Sequence, residues 1–500
     1  LLPASLHTTA GTKTGLFRRM NFQYKNAGSE ITAEICVIGG GPAGAGAARR
    51  LALLGHSVCL IEKTDNSQNK VGESLPPNIL VLLDALGVRE RIEAASFLRP
   101  GKAVVRWSDE SGFTKSFPAQ HGFLVNRGRF DQILLEAAKE AGVALIQPAQ
   151  ALRPHFDETR RHWNIPVRSD SGLLKIKAKY LVEAGGKSSF FKRKRKRYSA
   201  ASTVALCAYW RNPKLDDASA TLVEAGREEW FWGAALPDGA FSAMVFIDAK
   251  RGRAARDLES FYRALLAEST LLRGCLSGAL GGRVKGFDAT GYIDEEPVGE
   301  NLIKVGEACF SIDPLASQGV QAAMNSGLQS AFVVHTLLTR PENSAAAIQF
   351  YRDRQEETVA RHHNLARQFY SESRFCKTSE FWQKRAVSKA SERRAIPRAN
   401  PALSDESYLK LSTAASLIDT PCIAGDIITK TRALTHSSLE RPVAYVNDTA
   451  IALLLDSIPQ GGTVAEITRA WLPYISPQDS LRIINWLYET GVFNSALPAE

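Results

Sequence analysis

Five hundred residues are too many for one ordinary hydrophobic core, so two or three domains are expected. The 44% apolar fraction is that of a globular chain, and no stretch approaches the roughly 18 consecutive apolar residues that a membrane-spanning helix needs. The net charge of +10 is partly local, with basic runs at 192–197 and 384–398; these suit a solvated loop, an acidic protein partner or anionic ligands, and no nucleic-acid-binding module accompanies them.

Residues 1–27 contain no acidic side chain, and 1–31 are read as a leader or expression remnant outside the fold, with Met20 an alternative start. The organising stretch is 31–62. Its apolar run Glu34–Ile38 reads as a buried strand, followed at once by Gly39-x-Gly41-Pro42-Ala43-Gly44 and a helical pattern that stops at Gly55. Gly39 permits the tight turn, Gly41 lets backbone approach a pyrophosphate, and Gly44 lets the helix pack on the strand. The helix N-terminus then offers free N–H groups to phosphate. Glu62, with Lys63 beside it, follows Gly44 by about 20 residues, the spacing of an acid that holds ribose hydroxyls. The residues alone therefore predict a dinucleotide-binding oxidoreductase.

Further along, Lys70–Pro77 forms a loop containing Gly72-Glu73-Ser74, and 78–85 reads as a helix. Residues 102–107 read as a strand, and 122–143 as a strand end followed by an amphipathic helix. Tyr180–Gly186 is strand into Gly-rich turn, 203–250 alternates around Trp230-Phe231-Trp232, and 301–339 is strand, turn and long helix. Residues 340–400 are helical and charged, and 396–439 read as linker or helix. From 440 to 500 a small separate unit is expected: a β-rich run at 443–446, a helix capped by Asn447-Asp448, a second opened by the Thr463-x-x-Glu466 capping box, and a third opened by Ser476-Pro477 and ending at Gly491. The seven cysteines contain no Cys-x-x-Cys, and Cys36 and Cys59 fall in buried strands. This points to a reducing, cytoplasmic setting with neither a disulfide framework nor a metal site.

Five pieces fall in one order: the Gly39–Glu62 unit, Gly72-Glu73-Ser74, Arg127 before Phe130-Asp131, Glu183-Ala184-Gly185-Gly186, and Gly306-Glu307 leading to Asp313–Val320. This order resembles the FAD-dependent monooxygenase and halogenase superfamily of the para-hydroxybenzoate hydroxylase fold. The resemblance implies an α/β core over 32–395. A Rossmann-like FAD-binding domain (32–130, 175–200, 300–340) would carry an inserted antiparallel substrate sheet (mainly 100–125 and 201–299). It implies FAD held by the first βαβ unit, Ser74, Arg127, Gly306 and Glu307, where the family motif has Asp in place of Glu307. Pro314, Ser317, Gln318, Gly319 and Val320 would meet the isoalloxazine, with a helix N-terminus aimed at it.

Gly72–Pro77 resembles the branch holding tryptophan halogenases and the flavoproteins that mature tryptophylquinone cofactors. Lys102 stands at the spacing of the halogenase catalytic Lys, but Ala316 occupies the position of the catalytic Glu. The halogenase Trp-x-Trp-x-Ile-Pro signature is only approximated at Trp230–Pro237. The resemblance therefore implies oxygen insertion into an aromatic side chain, Trp foremost, of a peptide or protein substrate. Molecular oxygen would be the oxidant, and NAD(P)H or a partner flavin reductase the electron source. Lys102 and Glu73 are the candidate catalytic residues, and Trp230 and Trp232 the candidate substrate pocket. Residues 440–500 resemble a PqqD-like winged-helix domain that recognises peptides. The alternatives are a flavin-dependent halogenase and a non-catalytic escort that binds peptide.

Overall fold

The computed structural model describes residues 30–65, 70–118, 121–191, 195–198, 201–386 and 402–495. They form two compact units, 30–338 with 351–386, and 339–350 with 402–495. The leader reading for 1–29 and the basic run beyond 386 fall outside the described residues.

The first unit is built on the predicted βαβ. Strand Glu30–Ile38 lies between Val58–Ile61 and Gly172–Glu183, parallel to both, and Ala144–Ile146 extends the sheet beyond Val58–Ile61. Strand Leu302–Lys304 joins the last residues of Gly172–Glu183, again in parallel. The earlier part of Gly172–Glu183 pairs antiparallel with His162–Ser169 instead. Val58–Ile61 is buried on both faces, which is why it reads as an unbroken apolar run. The topology gathers the C-terminal ends of the parallel strands, at Ile38, Ile61, Glu183 and Lys304, along one edge, where open α/β sheets bind ligands.

Helix Pro42–Leu53 closes on the sheet through glycine. A Cβ on Gly44 would lie 1.9 Å from the Gly39 carbonyl oxygen. The later helix Gly319–Thr339 crosses it so closely that a Cβ on Gly327 would lie 2.2 Å from the Ala43 carbonyl oxygen.

The inserted sheet runs Ala279–Leu280, Thr203–Arg211, Ala240–Asp248, Glu229–Ala235, Thr221–Ala225, Lys102–Arg106, Phe113–Ser116. Its pairings are antiparallel except for Thr221–Ala225 with Lys102–Arg106, two strands from separate excursions of the chain. One face packs Leu206, Phe231 and Val245 against Tyr262 and Leu265 of helix Leu258–Glu268. The other carries Cys207, Trp230, Trp232, Met244 and Phe246. Strands Arg195–Arg197, Tyr292–Asp294 and Phe310–Ser311 form a small separate sheet.

The second unit begins earlier than its sequence suggests. Where 396–439 reads as linker or helix, the structure has strand Tyr408–Leu411 and the hairpin Ser416–Ala424/Ile427–Thr435. Asn447 and Asp448 do not cap a helix. Both have positive φ and make the turn between the short strands Tyr445–Val446 and Thr449–Ala450, and the helix starts at Ile451. The other two helices form as read, Val464–Trp471 with its Thr463/Glu466 capping box and Pro477–Glu489 with Ser476 as cap. They bury Ile467, Trp471, Ile484 and Leu487 in one core with Leu409.

Gly327 tests the helix crossing. Gly327→Val is expected to cost about 1–3 kcal/mol through overpacking against Ala43, read as a lower thermal midpoint.

Candidate active site

The first unit contains an open cavity of about 820 Å³. One end is walled by the strand ends of the βαβ sheet, the other by the Trp230/Trp232 face of the inserted sheet.

At the nucleotide end, Gly39, Gly41, Pro42, Ala43, Glu62 and Lys63 all line the space. Gly39 has φ +106°, and a Cβ there would strike the Ala184 carbonyl, so this turn needs glycine. Gly44 does not face the cavity; its place is the helix–strand contact. A Cβ on Gly41 would meet nothing within 4 Å, and no side chain caps the helix that follows. The first-turn N–H groups thus face open space suited to a pyrophosphate. Glu62 is buried, with one carboxylate oxygen accepting from Gly40 N–H at 2.6 Å and the other from Thr64 N–H at 2.9 Å. Its carboxylate is therefore fixed at the mouth of the Gly loop.

Gly306 and Glu307 border the middle of the cavity, with Gly306 N–H donating to Ser326 Oγ at 2.8 Å and Glu307 3.6 Å from Lys187. Pro314, Ser317, Gly319 and Val320 follow on the wall. Ser317 has φ +50°, which turns the chain into helix Gly319–Thr339. Gly319 has open space at its missing Cβ, so a second helix N-terminus faces the cavity. Gln318 is not on the wall; its amide lies 2.6 Å from His362 Nε2 and ties the loop to helix Ser344–Glu372. Asp313 caps Leu315 N–H and accepts from the Tyr370 hydroxyl at 3.1 Å. Burial raises its pKa despite these bonds.

Ser74 and Glu73 lie on the segment between these two ends. Arg127 fastens that segment. Its Nη1 donates to the Val71 carbonyl at 2.7 Å and its Nε to Asp131 at 3.1 Å. Glu73 is 2% exposed. One oxygen accepts from the Tyr209 hydroxyl at 3.0 Å and the Ser242 hydroxyl at 3.4 Å, the other from Gly72 N–H at 2.8 Å. Burial pushes its carboxyl above the ordinary range, and the backbone and Tyr209 hydrogen bonds and the Arg127 charge oppose this without cancelling it.

Tyr209 and Ser242 were not singled out from the sequence. They are direct partners across two antiparallel strands, a register visible only once the sheet is formed. Beyond them stands the aromatic wall. Trp230 stacks on Phe246 with ring centroids 3.7 Å apart, and Trp232, Met244 and Phe287 complete it.

Lys102 is not brought to the cavity. On its strand, Val104 packs on the helix-covered face and Val105 on the Trp230 face. Side chains alternate along a strand, so Lys102 falls on the same face as Val104, away from the cavity. Its ammonium pairs with Asp217 at 2.5 Å and is 41% exposed. The matching spacing in the sequence did not reveal this parity.

The FAD binding domain family matches residues 32–248. A tryptophan 2-halogenase of Chondromyces crocatus is 31% identical over 337 residues, 64% of this chain and 64% of the relative, so the chain spans just under two thirds of that protein. Among solved structures, the flavin-dependent halogenase CmlS superposes with a TM-score of 0.74 at 20% identity, covering 94% of this chain and 96% of CmlS. The peptidyl tryptophan dihydroxylase QhpG, essential for tryptophylquinone cofactor biogenesis, gives 0.71 at 24% identity, covering 92% of this chain and 99% of QhpG. At these identities the two structures speak for the fold alone. With a Gly-rich cradle and two helix N-termini facing one cavity, the residues present fit FAD, in keeping with the FAD binding domain matched over residues 32–248, and the chain is similar to flavin-dependent halogenases and monooxygenases.

Proposed function

We propose that this flavoprotein is a monooxygenase that hydroxylates an aromatic side chain, Trp foremost, within a peptide or protein. The observation that carries the reading is the placement of a buried carboxyl, Glu73, between the Asp313–Val320 loop and the aromatic wall, while Lys102 stands on the opposite face of the sheet. Ala316, at the position of the other halogenase catalytic residue, points the same way. Bound FAD, once reduced by NAD(P)H or a partner reductase, would supply the electrons that activate molecular oxygen.

The chain's own residues do the rest. Gly39, Gly41, Pro42, Ala43, Glu62 and Lys63 bind the nucleotide, Gly306, Glu307 and Ser74 hold the middle of the cofactor, and the Gly319 helix N-terminus favours negative charge on the ring. Arg127 holds the Glu73 segment in place. Trp230, Trp232 and Phe246 exclude water and offer an aromatic side chain a flat partner. Glu73, whose carboxyl burial raises above the ordinary range, is the candidate donor of a proton or a hydrogen bond to the oxygen being transferred, with Tyr209 and Ser242 orienting it. The second unit is read as a PqqD-like winged-helix module that holds the substrate peptide through main-chain hydrogen bonds.

Halogenation is the second reading, because the curated relative described above is a halogenase. Mass spectrometry separates the two. The FAD-loaded chain is given a reductant, oxygen, excess bromide and a Trp-bearing peptide. The expected product carries one or two added oxygens and no bromine, and Lys102→Met still forms it. A brominated product that Lys102→Met abolishes would make the protein a halogenase. Unchanged peptide with a reducible, oxygen-reactive flavin would favour the escort.

The pH profile tests Glu73. If its protonated form is the active one, kcat/KM falls as pH rises through its raised pKa. Tyr209→Phe removes a donor that stabilises the carboxylate, so the pKa rises further and the alkaline limb moves to higher pH. A limb that stays in place in Tyr209→Phe, or a profile unchanged in Glu73→Gln, contradicts the assignment.

A further inference from the structure

The catalytic reading leaves the basic run unused, yet part of it lies two strands from the cavity wall. Arg195–Arg197 is an edge strand of the three-stranded sheet. It pairs antiparallel with Tyr292–Asp294, which pairs with Phe310–Ser311. Phe310 and Ser311 are cavity wall. The outer side of Arg195–Arg197 pairs with no strand among the described residues, and Lys196 and Arg197 are exposed. Asp288, also on the wall, feels this charge. Burial would raise its pKa, but the hydrogen bonds from Thr290 and the charges of Lys187 and Arg197 hold it below the usual carboxylate range. Lys187 lines the cavity too, with its ammonium on the Asp288 carbonyl.

We propose that Arg195–Arg197 docks an acidic, extended segment of the substrate chain, which adds to this edge as a fourth strand and places a nearby aromatic residue in the cavity. This rests on the reading of a peptide or protein substrate. The dimensions agree. Neighbouring strands are about 4.8 Å apart, so a fourth strand lies roughly 14 Å from Phe310–Ser311, the length of about four or five extended residues. Main-chain hydrogen bonds to this edge give affinity without regard to sequence. Lys196, Arg197 and Lys187 select for acidic side chains beside the modified residue. Basic residues on an edge strand also serve simply to block edge-to-edge pairing. That role leaves substrate affinity untouched, so affinity is the readout.

The experiment uses the full FAD-loaded chain and measures fluorescence anisotropy of a labelled synthetic peptide with one Trp preceded by Glu and Asp residues. Its counterpart with Lys and Arg in those places, and a single-stranded oligonucleotide of equal charge, serve as comparisons. The acidic peptide is expected to bind more tightly than both, more weakly as salt rises, and about tenfold more weakly to the Lys196→Glu/Arg197→Glu variant, with FAD content unchanged. Equal binding to the variant, or equal binding of the basic peptide, would overturn the proposal. Equal binding of the oligonucleotide would overturn it in favour of phosphate capture. Binding is read without turnover, so a failure of oxygenation would leave charge-dependent docking intact, and a failure of docking would leave oxygenation intact.

Discussion

Three backbone contacts that exclude any side chain hold the nucleotide end together. Gly39 lies against the Ala184 carbonyl, Gly44 against the Gly39 carbonyl, and Gly327 against Ala43. Together they press the turn after the first strand, the first helix, the end of the Gly172–Glu183 strand and the late helix Gly319–Thr339 into one block. That block aims two helix N-termini at a single cavity. It also brings residues more than 250 positions apart in the chain, Gly41 and Gly319, onto the same wall. An anionic dinucleotide with a redox-active ring suits such a wall, because both helix ends favour negative charge.

The inserted sheet adds the second constraint. Its pleat sorts residues into two sets. One set packs under helix Leu258–Glu268, and the other faces the cavity with Trp230, Trp232 and Phe246. The same alternation puts Lys102 on the far face. The carboxyl at the aromatic end is that of Glu73, which arrives from outside the sheet on a segment fastened by Arg127 and meets Tyr209 and Ser242 there.

Much of this was legible in the sequence, and the remainder was hidden for definable reasons. The Gly39–Glu62 unit carries its geometry in its residue types, since each glycine answers a steric demand. The capping box at Thr463 and the Pro477 helix start are equally local signals. Trp230 and Trp232 share a face because they are two residues apart. Tyr209 and Ser242 escaped notice because their contact depends on strand register. Lys102 misled because sequence spacing carries no information about which face of a strand a residue occupies relative to a distant wall. The hairpin around Gly425 does carry a local signal, a two-residue Gly-Asp loop between runs rich in Ile and Thr, which contradicts a linker or helix there. Asn447-Asp448 reads equally as a cap or a turn, because both residue types favour helix N-caps and also the left-handed turn they make here.

The most direct test is an experimental structure of the FAD-loaded protein with a Trp-bearing peptide. The substrate ring is expected to lie between the isoalloxazine and the Trp230–Phe246 wall, with Glu73 within hydrogen-bond reach of the space between flavin and ring and Lys102 still paired to Asp217. A ring bound elsewhere, or Lys102 turned into the cavity beside the flavin, would contradict it.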